Sequence, residues 1–262
     1  MLSQEQVDRY HEEGYLHIPQ LFSPQVVQEL SAELDRLVQE WAFTSPGWTG
    51  PWRQAYMDPK TEKKSKLTAL HDLHFYSAAW CRAVTHPHMA EALSALLGPD
   101  IELHHSTLHI KPPQTGHPFP MHQDYPFYEH EDGRYLDVLI HLDDTSHENG
   151  EIRFLAGSHK LGKLPHITET ADGPCTPHLP TDEYWLEETV PVPARRGDIV
   201  CFNIYTIHGS YINQTKRPRR LVRVGYRHPH NRQLAGQSCG RPGVMVHGYR
   251  QRVEGEPLLK ED

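Results

Sequence analysis

The chain has 262 residues, a formal net charge of −8, 37 % hydrophobic residues and a mean hydropathy of −0.66. That length suits a single domain. The acidic balance argues against general affinity for nucleic acid, and no apolar run approaches the ~20 residues of a membrane span. The opening MLSQEQVDRYHEEGY has no apolar h-region of a secretory signal. Cys81, Cys175, Cys201 and Cys239 are scattered without a CxxC, which predicts free thiols in a reducing cytoplasm rather than a zinc knuckle or a disulfide framework.

In chain order, residues 3–14 read as a first helix, with Ser3 and Gln6 as a capping box and Gly14 as its stop. YLHIPQLF (15–22) alternates as a short strand. Ser23 then opens a second helix with Pro24 at its first position and an apolar stripe of Val26, Val27, Leu30, Leu34 and Leu37. Residues 44–66, rich in Pro, Gly, Trp and Lys, read as a long loop of the kind that often carries function. Residues 78–97 return to helix and end at Leu97-Gly98-Pro99.

From residue 101 the pattern changes to short alternating segments separated by turns: IELHHSTLHIK, YLDVLIHLDD, EIRFLAG, GDIVCFNIYTIHG and RLVRVGYRHP. Helices first and many short strands later predict one domain over 1–262. Residues 1–100 would form mostly a helical layer, and 101–262 mostly a β-sandwich or jelly-roll core. No G-x-G-x-x-G follows a strand and there is no P-loop.

The chemistry-bearing residues lie in that second part. The chain has 21 histidines, too many for number alone to mean metal, so spacing must choose among them. In FPMHQDYPFY, His122 and Asp124 are two apart, which on a strand places them on one face. His208 ends the apolar run DIVCFNIYTIH, where a neighbouring strand end could supply a third ligand. Two imidazoles and a carboxylate form a facial set for Fe(II) with three positions open. Arg219, eleven residues past His208, starts a strand, and its guanidinium could pair bidentately with a dicarboxylic cosubstrate. The alternative for Arg217, Arg219, Arg220 and Arg223 is a solvated basic strand edge, expected to hold for two or three of them. His141-Leu142-Asp143 repeats the H-x-D pattern but heads into a turn with no matching arginine, and the side chains of His71 and Asp72 would point to opposite faces.

These residues, taken with EEGYLHIPQLFS, LLGPDIELHHSTLHIKPP, PMHQD, ENGEIRFLAGSHKLG, RRGDIVCFN and IHGSYINQTKRPRR in that order, resemble the phytanoyl-CoA dioxygenase family of Fe(II)/2-oxoglutarate oxygenases. The resemblance implies a double-stranded β-helix core, mainly β with N-terminal helices. It implies iron held by His122, Asp124 and His208, with 2-oxoglutarate and O2 as cosubstrates. Arg219 matches the arginine for the far carboxylate, and Ser210 its hydroxyl helper. Thr107 and Leu139 fall on pocket-lining strands, and Gln123 would touch cosubstrate or substrate. At Leu139 the family frequently has tryptophan, a departure that makes the wall less bulky. A carboxylate at Asp124 favours hydroxylation over halogenation.

The activity implied is hydroxylation of an unactivated C–H bond of a small molecule, giving succinate and CO2, by a monomer or simple homo-oligomer. A cupin-like metal enzyme without 2-oxoglutarate and a noncatalytic binding protein are the alternatives. Trp48, Trp52 and Tyr56, with Tyr125, Phe127 and Tyr128, are candidates for a substrate lid, against simple packing of the helical layer. Tyr125, Phe127 and Trp52 are the residues expected at substrate. Along residues 104–109, alternation puts His105, Thr107 and His109 on one face and His104 on the other. Lys111 reads as a strand exit whose ammonium could meet an anion.

Overall fold

The computed structural model describes residues 1–251; the remainder of the expected domain, 252–262, lies outside the described residues. Helix α1 (Gln4–Glu13) starts at the capping box expected of Ser3 and Gln6 and stops at Gly14, which takes the left-handed conformation at φ 83°. Strand β1 (Tyr15–Ile18) follows, shorter than the alternating run. Helix α2 (Pro24–Trp41) has Ser23 as its N-cap and buries Val27, Leu30, Leu34 and Leu37.

The segment expected as loop carries structure. Strand β2 (Phe43–Ser45), helix α3 (Trp52–Tyr56) and helix α4 (Pro59–Lys64) lie within it. Asp58 caps α4 by accepting from the backbone of Lys60 and Thr61, a local signal in Asp-Pro that the surrounding Gly and Lys obscure. Helix α3 has no side-chain cap and is held instead by burial of Trp52 and Arg53, which local sequence does not encode. Strand β3 (Leu67–His71) was not anticipated. The helix expected over 78–97 is two, α5 (Ala78–Val84) and α6 (Pro87–Leu97), because Pro87 cannot continue α5 but can open a new helix.

The remaining strands are β4 (Ile101–Lys111), β5 (Phe119–His122), β6 (Tyr135–His141), β7 (Ile152–Phe154), β8 (Ile167–Thr170), β9 (Gly173–His178), β10 (Val190–Val192), β11 (Ile199–Asn203), β12 (His208–Ser210), β13 (Arg219–Arg227) and β14 (Val244–His247). They pair antiparallel in a large sheet of order β1-β11-β6-β13-β4-β3-β2, with β14 also on β4, and a small sheet of order β10-β7-β12-β5. Strands β8 and β9 form a separate hairpin. This is the double-stranded β-helix, with three strands of its large sheet drawn from the first hundred residues.

Alternation divides the large sheet into two faces. Val138, Ile140, Val222, Val224 and Leu108 face outward and pack with Leu34, Leu37, Trp80 and Leu93 of the helices. Leu139, Leu221 and Phe202 face inward and pack with Phe154 of the small sheet. The helices therefore seal one face of the large sheet, while the small sheet and the large one enclose the interior. Among the described residues no helix is long and apolar enough to cross a membrane. Leu34 is 0 % exposed at the centre of the outer core, so Leu34→Ala is expected to lower unfolding free energy by about 2–5 kcal/mol, read as a shifted urea midpoint at unchanged slope.

Candidate metal centre

The apolar run that was expected to deliver His208 is not one strand. Asn203 ends β11 by accepting from the backbone N–H of Tyr205 at 3.0 Å and donating its amide to the carbonyl of Gly133 at 2.9 Å. Past that turn the chain leaves the large sheet and enters the small one, where His208 of β12 stands directly opposite His122 of β5. Asp124 does not share a strand face with His122 either. Strand β5 stops at His122, and Asp124, in helical conformation, opens a 3-10 turn over Tyr125–Phe127. Its backbone N–H donates to the carbonyl of Ile204 at 3.1 Å, which ties the two turns together.

The three side chains nevertheless converge. Asp124 Oδ1 lies 3.3 Å from His122 Nε2 and 3.8 Å from His208 Nε2, and one donor atom from each residue fits within 4.8 Å of the others. Each imidazole donates Nδ1–H to a backbone carbonyl, His122 to Pro120 at 2.7 Å and His208 to Thr206 at 3.0 Å. A neutral ring so engaged presents its Nε2 lone pair to the common point. Asp124 Oδ1 is buried without a hydrogen-bond partner. An orphaned carboxylate oxygen facing two bare nitrogens is costly in an apolar interior, and is the donor set a divalent transition metal satisfies.

Protonation states agree with that use. Burial, and then the neighbouring His122, lowers His208 to about 3. Burial opposes ionisation of Asp124, but the Arg223 guanidinium beside it, with His208 and His122, holds the carboxylate well below its usual range. Burial pushes the nearby Asp137 well above the usual range, so Asp124 carries the charge and Asp137 the proton.

The same cavity is lined at its other end by Arg219, Ser210 and Gly150. Arg219 and Lys111 are cross-strand partners on β13 and β4, and both are buried. Lys111 Nζ donates to Ser210 Oγ at 2.7 Å and to the carbonyl of Tyr211. Among the described residues neither cation has a carboxylate within 4.0 Å, and Arg219 Nε has no partner. Burial lowers Arg219 to about 10 and Lys111 well below its ordinary value, Arg219 adding to the latter effect. Lys111 does not itself line the cavity; it lies behind Ser210, which does.

Other expected site residues divide. Leu139 lines the cavity. Thr107 lies on the inward face of β4, but its hydroxyl bonds His71 Nδ1 at 3.2 Å and it is not part of the cavity wall. Gln123 is directed away: its amide donates to the carbonyls of Gly162 and Tyr205 and accepts from Leu164 N–H, all within 2.9 Å, so it clamps a loop. Trp52 is buried against Tyr56 and His117 and donates to the carbonyl of Thr49, and Tyr125 donates to the carbonyl of Leu164; neither lines the cavity. Phe127 and Trp48 lie over the metal end, Trp48 with its ring 4.7 Å from that of His122 and 4.8 Å from that of Phe127.

Both decoys resolve. His141 is buried without a ring partner, and Asp143 pairs with Arg220 at 2.7 Å. His71 holds Thr107 while Asp72 pairs with Arg241 at 2.8 Å. His104 is not on the face opposite His105. A bulge in the β4–β13 pairing leaves His104 unmatched between Leu103 and His105, and turns its ring to within 2.9 Å of His105.

Arg223, one of the four arginines for which a solvated edge is the alternative, is buried and donates to Asp124 Oδ2 at 2.7 Å. Its signal was the even spacing from Arg219, which places both on one face of β13. Of the other edge arginines, Arg217 is exposed and Arg220 is paired with Asp143 and Asp35.

Several buried histidines share the depressed state of His208: burial lowers His104 to about 3 and His130, His141 and His166 to about 4. In the unfolded chain each regains an ordinary value of about 6.5. The unfolded state then binds more protons across that window, so stability is lost as pH falls through it. The urea midpoint of the metal-free protein is expected to fall from about pH 7 to about pH 5; a flat midpoint would contradict neutral burial of these rings.

The model of the family described as "Phytanoyl-CoA dioxygenase (PhyH)" matches residues 10–221. A probable alpha-ketoglutarate-dependent hypophosphite dioxygenase of Stutzerimonas stutzeri is 29 % identical over 254 residues, covering 93 % of this chain and 86 % of the relative. An ectoine dioxygenase of Bordetella parapertussis is 27 % identical over 241 residues, covering 86 % and 75 %. Among solved structures, the carbocyclase SnoK from nogalamycin biosynthesis superposes with a TM-score of 0.74 at 22 % identity, over 95 % of this chain and 94 % of that one. The double-stranded β-helix is common to both. On the extent of the family match, this chain belongs to the phytanoyl-CoA dioxygenase family.

Proposed function

We propose that the protein is an Fe(II)- and 2-oxoglutarate-dependent dioxygenase that hydroxylates an unactivated C–H bond of a small molecule. His122, Asp124 and His208 would hold the iron. Arg219, with Lys111 and Ser210, would hold the far carboxylate of 2-oxoglutarate. One observation carries the reading: three metal-type donors and the buried Arg219, which has no carboxylate partner among the described residues, line one cavity, with Lys111 behind the lining residue Ser210. A small dicarboxylate chelated at one end and ion-paired at the other satisfies both sets.

When bound, iron and 2-oxoglutarate supply a two-electron oxidation by O2, in which one oxygen atom enters the C–H bond and the other enters succinate, with CO2 released. The protein's part is placement. The Nδ1–H bonds to Pro120 and Thr206 fix both imidazoles with Nε2 inward. Lys111 orients the Ser210 hydroxyl. Leu139, Ile152, Phe202 and Leu221 form an apolar wall that limits water between the two ends. Trp48 and Phe127 cover the metal end, where a substrate would approach. The relatives named for hypophosphite and ectoine support a small polar substrate.

Purified protein supplied with Fe(II), O2 and 2-oxoglutarate is expected to yield succinate, faster when its substrate is present. Fe(II) binding without succinate across a broad substrate panel would favour a metal enzyme that uses no 2-oxoglutarate; loss of both would leave a binding protein. Arg219→Ala is expected to raise the 2-oxoglutarate KM by more than about tenfold while leaving the metal Kd nearly unchanged, since it removes a charge-assisted pair far from the iron. Parallel loss of both constants would refute its assignment. His208→Ala is expected to abolish metal binding and succinate formation together.

A further inference from the structure

Asp124 belongs to two environments. Its Oδ1 faces His122 and His208, while its Oδ2 accepts from Arg223 Nη1 at 2.7 Å. Arg223 comes from the opposite sheet, and the carboxylate bridges it to the metal-type nitrogens.

The guanidinium is held on several sides. Nη1 also donates to Tyr128 Oη at 3.0 Å, and the group lies 5.0 Å from the centre of the Tyr128 ring. Nη2 meets His105 Nε2 at 3.3 Å. His105 Nδ1 then meets His104 Nδ1 at 2.9 Å, and His104 Nε2 meets Gln233 Oε1 at 2.8 Å. Because an arginine only donates and an amide oxygen only accepts, the protons are assigned along the whole chain. His105 carries its proton on Nδ1 and His104 on Nε2. Every bond points from Arg223 toward Gln233, so the guanidinium has a fixed place and not a mobile one.

This has a consequence for coordination. A carboxylate that chelates through both oxygens occupies two positions of an octahedral metal. With Oδ2 engaged by a fixed, charged donor, one oxygen remains. A positive charge on the far side of the carboxylate also draws electron density from Oδ1 and repels a dication. From this geometry we infer that Arg223 is a positioning residue that restricts Asp124 to a single-oxygen ligand and keeps divalent-metal affinity low, leaving three positions open. The inference rests on the reading of Asp124 as a ligand.

Co(II) titrated calorimetrically into the metal-free full-length protein tests it, with the ligand-field absorption of bound Co(II) as a second readout. R223M and R223Q, which remove the charge and its repulsion of a dication, are expected to bind Co(II) about tenfold more tightly, with a changed absorption spectrum and weaker subsequent binding of 2-oxoglutarate. R223K keeps the charge and a donor and is expected to stay close to wild type. A merely structural Arg223 predicts the opposite sign, weaker Co(II) binding in the charge-removing variants; that result, or wild-type affinity and spectrum, overturns the inference. Should R223M fold only with metal, a larger rise in Tm on Co(II) addition than in wild type carries the same sign, and an equal or smaller rise overturns it. Wild-type protein that binds no Co(II), or D124N that binds it as wild type does, overturns the reading of the triad instead.

Discussion

Asp124, Arg223, Arg219 and Lys111 are ionisable side chains buried together inside one β-helix, and the electrostatic cost of that burial organises the interior. Asp124 and Arg223 offset each other directly. Arg219 and Lys111, adjacent across two strands, have no carboxylate within 4.0 Å among the described residues, and burial together with the Arg219 charge drives Lys111 well below its ordinary value. A buried guanidinium without a nearby counter-charge is an unfavourable arrangement, and under the proposed function the carboxylate that Arg219 would receive is also what would stabilise this part of the interior.

The surrounding architecture follows from this need for dry walls. Helices α2, α5 and α6 cover the outer face of the large sheet with Leu34, Leu37, Trp80 and Leu93, so its inner face is free to carry charge. The small sheet supplies the histidines as a cross-strand pair, and the large sheet supplies the cations from β4 and β13. The metal-type ligands and the guanidiniums therefore come from opposing layers, and their separation depends on how the two sheets pack. The bulge at His104 serves the same end. Gly225, facing His105 across it, leaves room that a Cβ would deny to the Tyr135 hydroxyl, and that hydroxyl bonds His104.

Much of this was legible in the sequence, and what was not has identifiable reasons. Alternation and turn residues located β4, β6 and β13, and the Ser3 and Ser23 caps located the first two helices, because those signals are local. Strand β3 and helix α3 escaped because their stability comes from contacts distant in sequence. For His122 and Asp124 the right residues were reached by an incomplete route: strand periodicity brings neither Asp124 nor His208 to the site, and both arrive through turns. The role of Arg223 was hidden because a row of arginines resembles a solvated edge until the inward positions of β13 are separated from the outward ones. Gln123 misled in the other direction, since adjacency to ligands says nothing about the direction of its amide.

The orientation of the histidine rings carries a further meaning. His122 and His208 each bond the carbonyl of the residue two positions earlier, and so do His130, His166 and His178. The ring is thus steered by its own stretch of backbone, before any metal arrives and independently of the partner strand. A histidine in this setting is half of a ligand, and an acidic neighbour completes it. The centre is thus assembled by two separate means: local backbone steers the imidazoles, and the turn after β5 brings Asp124 to them.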